Sequence, residues 1–171
     1  TTVFNMNDSR PLALDMLAAE FGHVDVHMLQ YSGAIWYPMV YEETPDKMRT
    51  LVDDKVASQY KRALRYVDKI GARAVVPCAG PPAFLDPDLF GLNMIKGDEL
   101  SIFPDQRVFM DRLAADGHVG LLAIPGTTID ITADGCTLTH PIADDEVAAI
   151  FEHKREYLER YQADYLPWLE E

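Results

Sequence analysis

Length, composition and charge are typical of a single globular domain. The 171 residues are enough for one domain and hardly allow two. Apolar residues make up 48% and charged residues 25%, and no run of about 18 apolar residues occurs, so neither disorder nor a membrane-spanning helix is predicted. The net charge of −13 disfavours binding to nucleic acid or to an anionic membrane surface, although local groups can still accept a small anionic substrate.

Cysteine usage and the N-terminus indicate the cellular context. Cys78 and Cys136 form neither a disulfide framework nor a zinc-finger spacing, so we expect free thiols and a cytoplasmic location. No secretory signal pattern is present. The chain opens on Thr1 instead of Met and passes directly into an apolar stretch, so we expect a fragment of a longer protein.

Strand and helix patterns alternate in the first half of the chain. Residues 2–6 predict a strand, and a helix that ends at Gly22 follows it. Residues 23–29 alternate between apolar and polar side chains, which indicates a half-buried strand. Residues 30–44 form an aromatic loop of the kind that carries function. An apolar stripe predicts a long helix over 45–70.

The second half continues this pattern. Residues 74–77 predict a buried strand, and 78–104 is a stretch rich in Pro, Gly and Asp that is mostly loop. Asp105 can cap a helix that runs to about Asp116, and Asp144 starts a final helix. Three short strands are predicted between these helices, over 120–124, 128–132 and 136–140. The element order indicates an α/β layered fold without a marked domain boundary.

Two groups of polar residues are candidate metal ligands. Asp8 directly follows the first strand, where carboxylates often line α/β active sites, but Asp8 or its neighbour Ser9 can equally cap the next helix. His23, Asp25 and His27 lie on one side of their strand and suit zinc or iron. A solvated strand face has the same pattern.

Other residues are candidates for binding a substrate. Tyr31, Trp36 and Tyr37 can stack on a sugar or a base, or pack the loop against the core. Gly80 lets the loop after Cys78 approach a ligand, whereas a lone cysteine is most often a small buried hydrophobe. No nucleotide-binding glycine motif, serine-hydrolase elbow, zincin motif or Cys-x-His pair of a [2Fe-2S] centre occurs, and no catalytic residue is assigned.

Three stretches together resemble a known family. They are residues 30–38 (QYSGAIWYP), 75–86 (VVPCAGPPAFLD) and 101–106 (SIFPDQ). They are similar to the metallo-β-lactamase-fold domain of actinobacterial proteins that also carry a Rieske [2Fe-2S] domain. That group is similar to CMP-N-acetylneuraminate hydroxylase and UDP-N-acetylmuramate hydroxylase. The similarity runs through most of residues 1–140.

The resemblance implies half of an αββα sandwich. Residues 1–143 would be the C-terminal part of the domain, a mixed sheet with helices on one face, and 144–171 a C-terminal helical extension. In that fold a later strand ends in a metal-ligating Asp, a place that Asp8 matches. The family's His-x-His-x-Asp-His motif is missing, and no His stands at 76–80, where the last ligand is usual. A single metal, held partly by the missing half, therefore fits better than a two-metal site.

The same resemblance implies a function for the parent protein. It would be an iron-dependent monooxygenase, with mononuclear iron or zinc and a [2Fe-2S] cluster on a separate Rieske domain or redox partner. It would hydroxylate a nucleotide-activated amino sugar, with Tyr31, Trp36, Tyr37, Gly80 and Pro81 shaping the substrate pocket. The segment alone would bind no cofactor and be inactive. The alternatives are a metal-dependent hydrolase of the same fold, or a non-catalytic degenerate domain used for assembly.

A half-sandwich should also expose the sheet face that its other sheet covers. The apolar side chains Val24, Val26 and Met28, with Val75 and Val76, motivate this expectation. We therefore predict that the segment associates with itself.

Overall fold

The computed structural model describes residues 1–33, 35–94 and 101–169. Ala34 of the aromatic loop, residues 95–100 of the Pro- and Gly-rich stretch, and the last two residues of the predicted helical extension lie outside the described residues.

Short strands and helices alternate along the chain. In order they are β1 (Val3–Asn5), α1 (Leu14–Phe21), β2 (Val26–Gln30), α2 (Pro45–Ile70), β3 (Ala74–Cys78), a 3₁₀ helix (Phe90–Asn93), α3 (Gln106–Ala115), β4 (Thr128–Ile131), β5 (Cys136–Thr139), α4 (Asp144–Glu152) and α5 (Lys154–Leu169). The predicted long helix is confirmed at both ends, because Pro45 opens it and Gly71 follows it in the left-handed conformation.

The strands divide between two sheets. Strands β1, β2 and β3 are parallel and lie in sequence order, whereas β4 and β5 form an antiparallel hairpin. A parallel bridge from Val75 to Gly120 adds one further segment to the parallel sheet, so the strand predicted over 120–124 pairs only as this bridge. The αββα half-sandwich stays a prediction.

Helices α1, α2 and α3 pack on one face of the parallel sheet. Right-handed connections between parallel strands in sequence order place every crossover on the same side. The core on this face consists of Met6, Leu14, Leu29, Tyr31, Ala63, Tyr66, Val67, Val75, Phe109 and Leu113. All three helices contribute to it, which fixes the loops that leave the sheet.

The β4–β5 hairpin covers the opposite face. Val26, Ala74, Val76 and Leu121 form the buried core here, against partly buried side chains of the hairpin. The expectation of an exposed apolar face is therefore wrong: Val26 and Val76 are no more than 2% exposed, because the same chain covers them. Strand β2 is likewise buried on both faces, as in parallel sheets generally. Self-association stays a prediction, without this support.

Two helix boundaries differ from the sequence prediction. Helix α1 starts at Leu14, with Ala13 before it and no side-chain cap, so the prediction that Asp8 or Ser9 caps it is wrong. The intervening chain turns instead, with the Ser9 N–H donating to the Met6 carbonyl at 3.1 Å. The predicted final helix is two helices, because the backbone leaves helical geometry at His153. In the described part of the chain, no helix is both long and apolar enough to cross a membrane.

The side chain of His27 lies inside the core. Its ring is fully buried and stacks on Phe4 with centroids 5.5 Å apart. Neither ring nitrogen has a hydrogen-bond partner among the described residues. Burial therefore lowers the pKa of His27 to about 4.

We expect this histidine to make stability depend on pH. Between pH 6.5 and the lowered pKa, the unfolded chain binds a proton that the folded chain does not, so stability falls as the pH falls. The free energy of unfolding should drop by about 2 kcal/mol between pH 7 and pH 5. Urea unfolding should show this drop in the wild type and in the control His153→Gln, which changes an exposed histidine. An equal drop in His27→Leu would contradict the assignment.

Candidate functional site

The carboxyl ends of the parallel strands meet at one edge of the sheet. Strand β2 ends at Gln30 and β3 ends at Cys78, and these two residues are paired across the strands. The aromatic loop and the Pro- and Gly-rich stretch therefore start side by side. Ligand sites of parallel α/β sheets form at this edge, because the loops converge there.

A cavity of about 420 Å³ lies between these two loops. We call it the loop cavity. Its lining consists of Gln30, Ser32, Gly33, Trp36, Ala79, Gly80, Pro81, Pro82, Phe84 and Phe103. Three of the five residues predicted to bind substrate, Trp36, Gly80 and Pro81, are in this lining. Its size is within the range of small-molecule sites.

Three aromatic rings form one wall of the loop cavity. The Trp36 ring centroid lies 5.2 Å from that of Phe84 and 5.7 Å from that of Phe103, and the two Phe rings are 5.3 Å apart. Asn93 holds Phe84 in place by accepting its backbone N–H and donating to its carbonyl, both at 2.8 Å. Sequence reasoning missed both Phe residues, because isolated aromatics in a Pro-rich stretch show no periodicity.

The polar groups of the loop cavity carry no charge. The lining residues with polar side chains are Gln30, Ser32 and Trp36, which carry an amide, a hydroxyl and an indole N–H. None of the three is hydrogen-bonded to another side chain or backbone group in the described part of the chain. They can therefore donate to, or accept from, a bound molecule.

Gly80 brings the two loops into close contact. A Cβ at this position would lie 2.6 Å from Ser32 Oγ and 3.4 Å from Tyr31 Oη. The backbone of the second loop can come this near the first only because Gly80 has no side chain.

The other two predicted aromatic residues lie outside the loop cavity lining. Tyr31 is fully buried beneath it, where its hydroxyl donates to the Pro104 carbonyl at 2.7 Å and its ring stacks on Phe109. Burial, with Asp105 nearby, raises the pKa of Tyr31 well above its usual value. Tyr37 is 43% exposed and packs edge-on against Tyr41. Tyr31 supports the loop from below instead of facing a ligand.

The candidate metal ligands are not gathered into one site. Asp8 is exposed, on a turn with a positive φ of 60°. His23 pairs with Asp25 at 2.9 Å, and Asp25 also accepts the Thr2 backbone N–H at 2.8 Å, which lowers its pKa. His27 lies apart in the core. No group of three His, Cys, Asp or Glu residues among those described is placed to hold a metal. A metal role for Asp8 stays a prediction.

A second, larger cavity adjoins the first. It measures about 630 Å³ and lies across residues 80–82 from the loop cavity, against α4 and α5. We call it the helix groove. Its lining is mostly apolar, and Lys154 on its side donates to Asp105 at 2.6 Å. Asp105 was predicted to cap α3, but its side chain makes this ion pair and no cap hydrogen bond.

Comparison with known proteins gives three close relatives. The chain is 50% identical, over 99% of its length, to a Mycolicibacterium smegmatis protein named as a Rieske 2Fe-2S iron-sulfur protein. It is 51% identical, over 96% of its length, to proteins of that name from two Mycobacterium tuberculosis strains, CDC 1551 and H37Rv. The chain spans only about a third of the length of these curated relatives. No family model and no solved structure matches it.

The residues of this chain do not fit a Rieske cluster. Such a cluster needs two cysteines and two histidines. Cys78 is half-buried, and burial raises its pKa, which disfavours the thiolate that binds iron. His118 pairs with Asp68 at 3.0 Å and His140 with Thr127 at 2.9 Å, and no group of three His, Cys, Asp or Glu in the described part of the chain could hold a metal.

We expect a side chain at Gly80 to separate the two loops. Gly80→Ala should lower the free energy of unfolding by about 1–3 kcal/mol, because the new Cβ overlaps the buried Ser32 hydroxyl. Gly135→Ala is the matched control, since a Cβ there meets nothing within 4 Å. Its stability should stay within about 0.5 kcal/mol of the wild type. Equal urea midpoints for the two variants would show that the loops are not in close contact.

Gln59 lies directly behind the loop cavity. Its side-chain amide is buried without a hydrogen-bond partner in the described structure, and it lies 2.8 Å from the position of a Cβ on Gly33. Burying an unpaired amide costs stability. We therefore expect Gln59→Met, which keeps the length of the side chain, to raise the free energy of unfolding by about 1 kcal/mol.

The matched control for Gln59 is another glutamine that does have a partner. The Gln162 amide donates to the Leu85 carbonyl. Gln162→Met should therefore lower the free energy of unfolding by about 1 kcal/mol. A loss of stability in Gln59→Met as well, measured by urea unfolding, would mean that the Gln59 amide is hydrogen-bonded.

Proposed function

We propose that this chain is the substrate-binding segment of a Rieske-linked oxygenase. The identity of about one half to relatives named as Rieske 2Fe-2S proteins, over almost the whole chain, supports the iron–sulfur part of this proposal. The observation that carries the substrate-binding role is the loop cavity, at the sheet edge where α/β proteins bind ligands.

The finer proposal follows the family resemblance. In it the parent protein hydroxylates a nucleotide-activated amino sugar, and this segment is the C-terminal half of a metallo-β-lactamase-like domain. Asp8 lies at the carboxyl end of β1, the same sheet edge as the loop cavity, which supports a place near the reacting centre. Asp8 would supply one ligand to a mononuclear iron, which would activate oxygen with electrons from the cluster.

The segment itself would bind and orient the substrate. Trp36, Phe84 and Phe103 offer ring surfaces, and Gln30 and Ser32 offer hydrogen bonds. Because this chain supplies no complete ligand set, the cluster and most iron ligands would come from the rest of the parent protein or from a redox partner. We assign no step of the oxygen chemistry to its residues.

The test uses the full-length protein that contains this segment. We expect elemental analysis to give about three irons per chain, two in a cluster and one mononuclear, and electron paramagnetic resonance to give a Rieske-type signal after reduction. With a reductant and oxygen, a nucleotide-activated amino sugar should gain one oxygen atom, measured by mass spectrometry. Zinc without a cluster would favour the hydrolase, and no metal would favour the assembly role.

The control for this measurement replaces both cysteines of the segment. In Cys78→Ser with Cys136→Ser, the cluster signal and the iron content should match those of the wild type, because the proposal places the cluster's cysteine ligands outside this segment. A loss of two irons per chain, in a variant whose circular dichroism is unchanged, would contradict this placement.

A further inference from the structure

We propose that the loop cavity binds an uncharged ring that carries hydroxyl or amide groups, and that any phosphate or carboxylate of the same ligand is held outside it. This inference rests on the proposed function, since it names the part of the substrate that this segment recognises.

The lining of the loop cavity argues against a charged group. Among the described residues, no Asp, Glu, His, Lys or Arg lines it. A charge inside the cavity would lose part of its water and would gain no counter-ion from this lining, which is unfavourable. The net charge of −13 adds a general repulsion of anions.

The same lining suits neutral polar groups. Ser32 is 2% exposed and belongs to the cavity lining. Together with the Gln30 amide and the Trp36 indole N–H, it provides donors and acceptors that match hydroxyl and amide groups. The Trp36 and Phe84 rings supply flat apolar surface for a ring to pack against.

The adjoining helix groove does not supply the missing cation. Within the described lining of both cavities, Lys154 is the one cationic side chain. Lys154 forms an ion pair with Asp105, and both side chains of this pair are largely buried. A phosphate in the groove would have to displace Asp105 and leave that carboxylate buried without its partner.

Tryptophan fluorescence can test the inference in this chain. The two tryptophans are Trp36, in the loop cavity, and Trp168, which is 77% exposed on α5. The variant Trp168→Phe leaves Trp36 as the single reporter, and its circular dichroism should equal that of the wild type. We would titrate it with N-acetylglucosamine and with N-acetylglucosamine 1-phosphate, over the same concentrations and at two salt concentrations.

The neutral sugar should change Trp36 emission in a saturable way, and the phosphate should bind no more tightly than the neutral sugar at either salt concentration, because its phosphate group gains no contact inside the cavity. Tighter binding of the phosphate than of the neutral sugar would overturn the proposal. Unchanged Trp36 emission up to the highest concentration of each sugar would also overturn the proposal. Iron content does not enter this titration, so the inference and the proposed function can fail separately.

A charge variant gives a second, independent readout. Gln30→Lys, made in the Trp168→Phe background, places a cation in the lining and should shift the preference toward the phosphate by about tenfold or more. Ser58→Lys adds the same charge on the exposed side of α2, outside the cavity, and should leave the preference unchanged. An equal shift in both variants would show that the preference reflects net charge instead of the cavity.

Discussion

The parallel pairing of β2 with β3 is the constraint on which the rest of the site depends. Because the two strands run in the same direction, with Gln30 opposite Cys78, their following loops start from neighbouring points of one sheet edge. The loop cavity is the space between these loops. An antiparallel pair would have sent them to opposite ends of the sheet.

Packing below the loops turns this juxtaposition into a defined shape. Tyr31 leaves β2 and is fixed between Phe109 and the Pro104 carbonyl, so the start of the aromatic loop is tied to α3. Lys154 ties α5 to the same region through Asp105. Gly80 then lets the second loop touch the first. The lining is thus held by core contacts, which suits a site that recognises shape and hydrogen-bonding groups.

Local sequence patterns predicted individual helices and strands, but they did not predict which distant segments pack against one another. The helix over 45–70 was predictable because three local signals indicate the same helix. They are the apolar stripe along it, Pro45 at its start and Gly71 just after its end. The burial of Val26 and Val76 was not predictable, because the hairpin that covers them begins about a hundred residues after Val26 and about fifty after Val76. The site shows the same division. Sequence reasoning singled out Trp36 and Gly80 within their loops, whereas the contacts of Trp36 with Phe84 and Phe103 depend on how the two loops pack together.

The distribution of charge also separates the site from the rest of the molecule. The whole chain has a formal charge of −13, whereas the described lining of the loop cavity is neutral. A neutral lining gains little from long-range attraction, so its selectivity has to come from the fit of rings and from hydrogen bonds to fixed groups. Since the chain spans about a third of its relatives, the cluster and most iron ligands of the proposed reaction would belong to the remaining two-thirds. In that division, this segment would contribute selectivity and the other part would contribute reactivity.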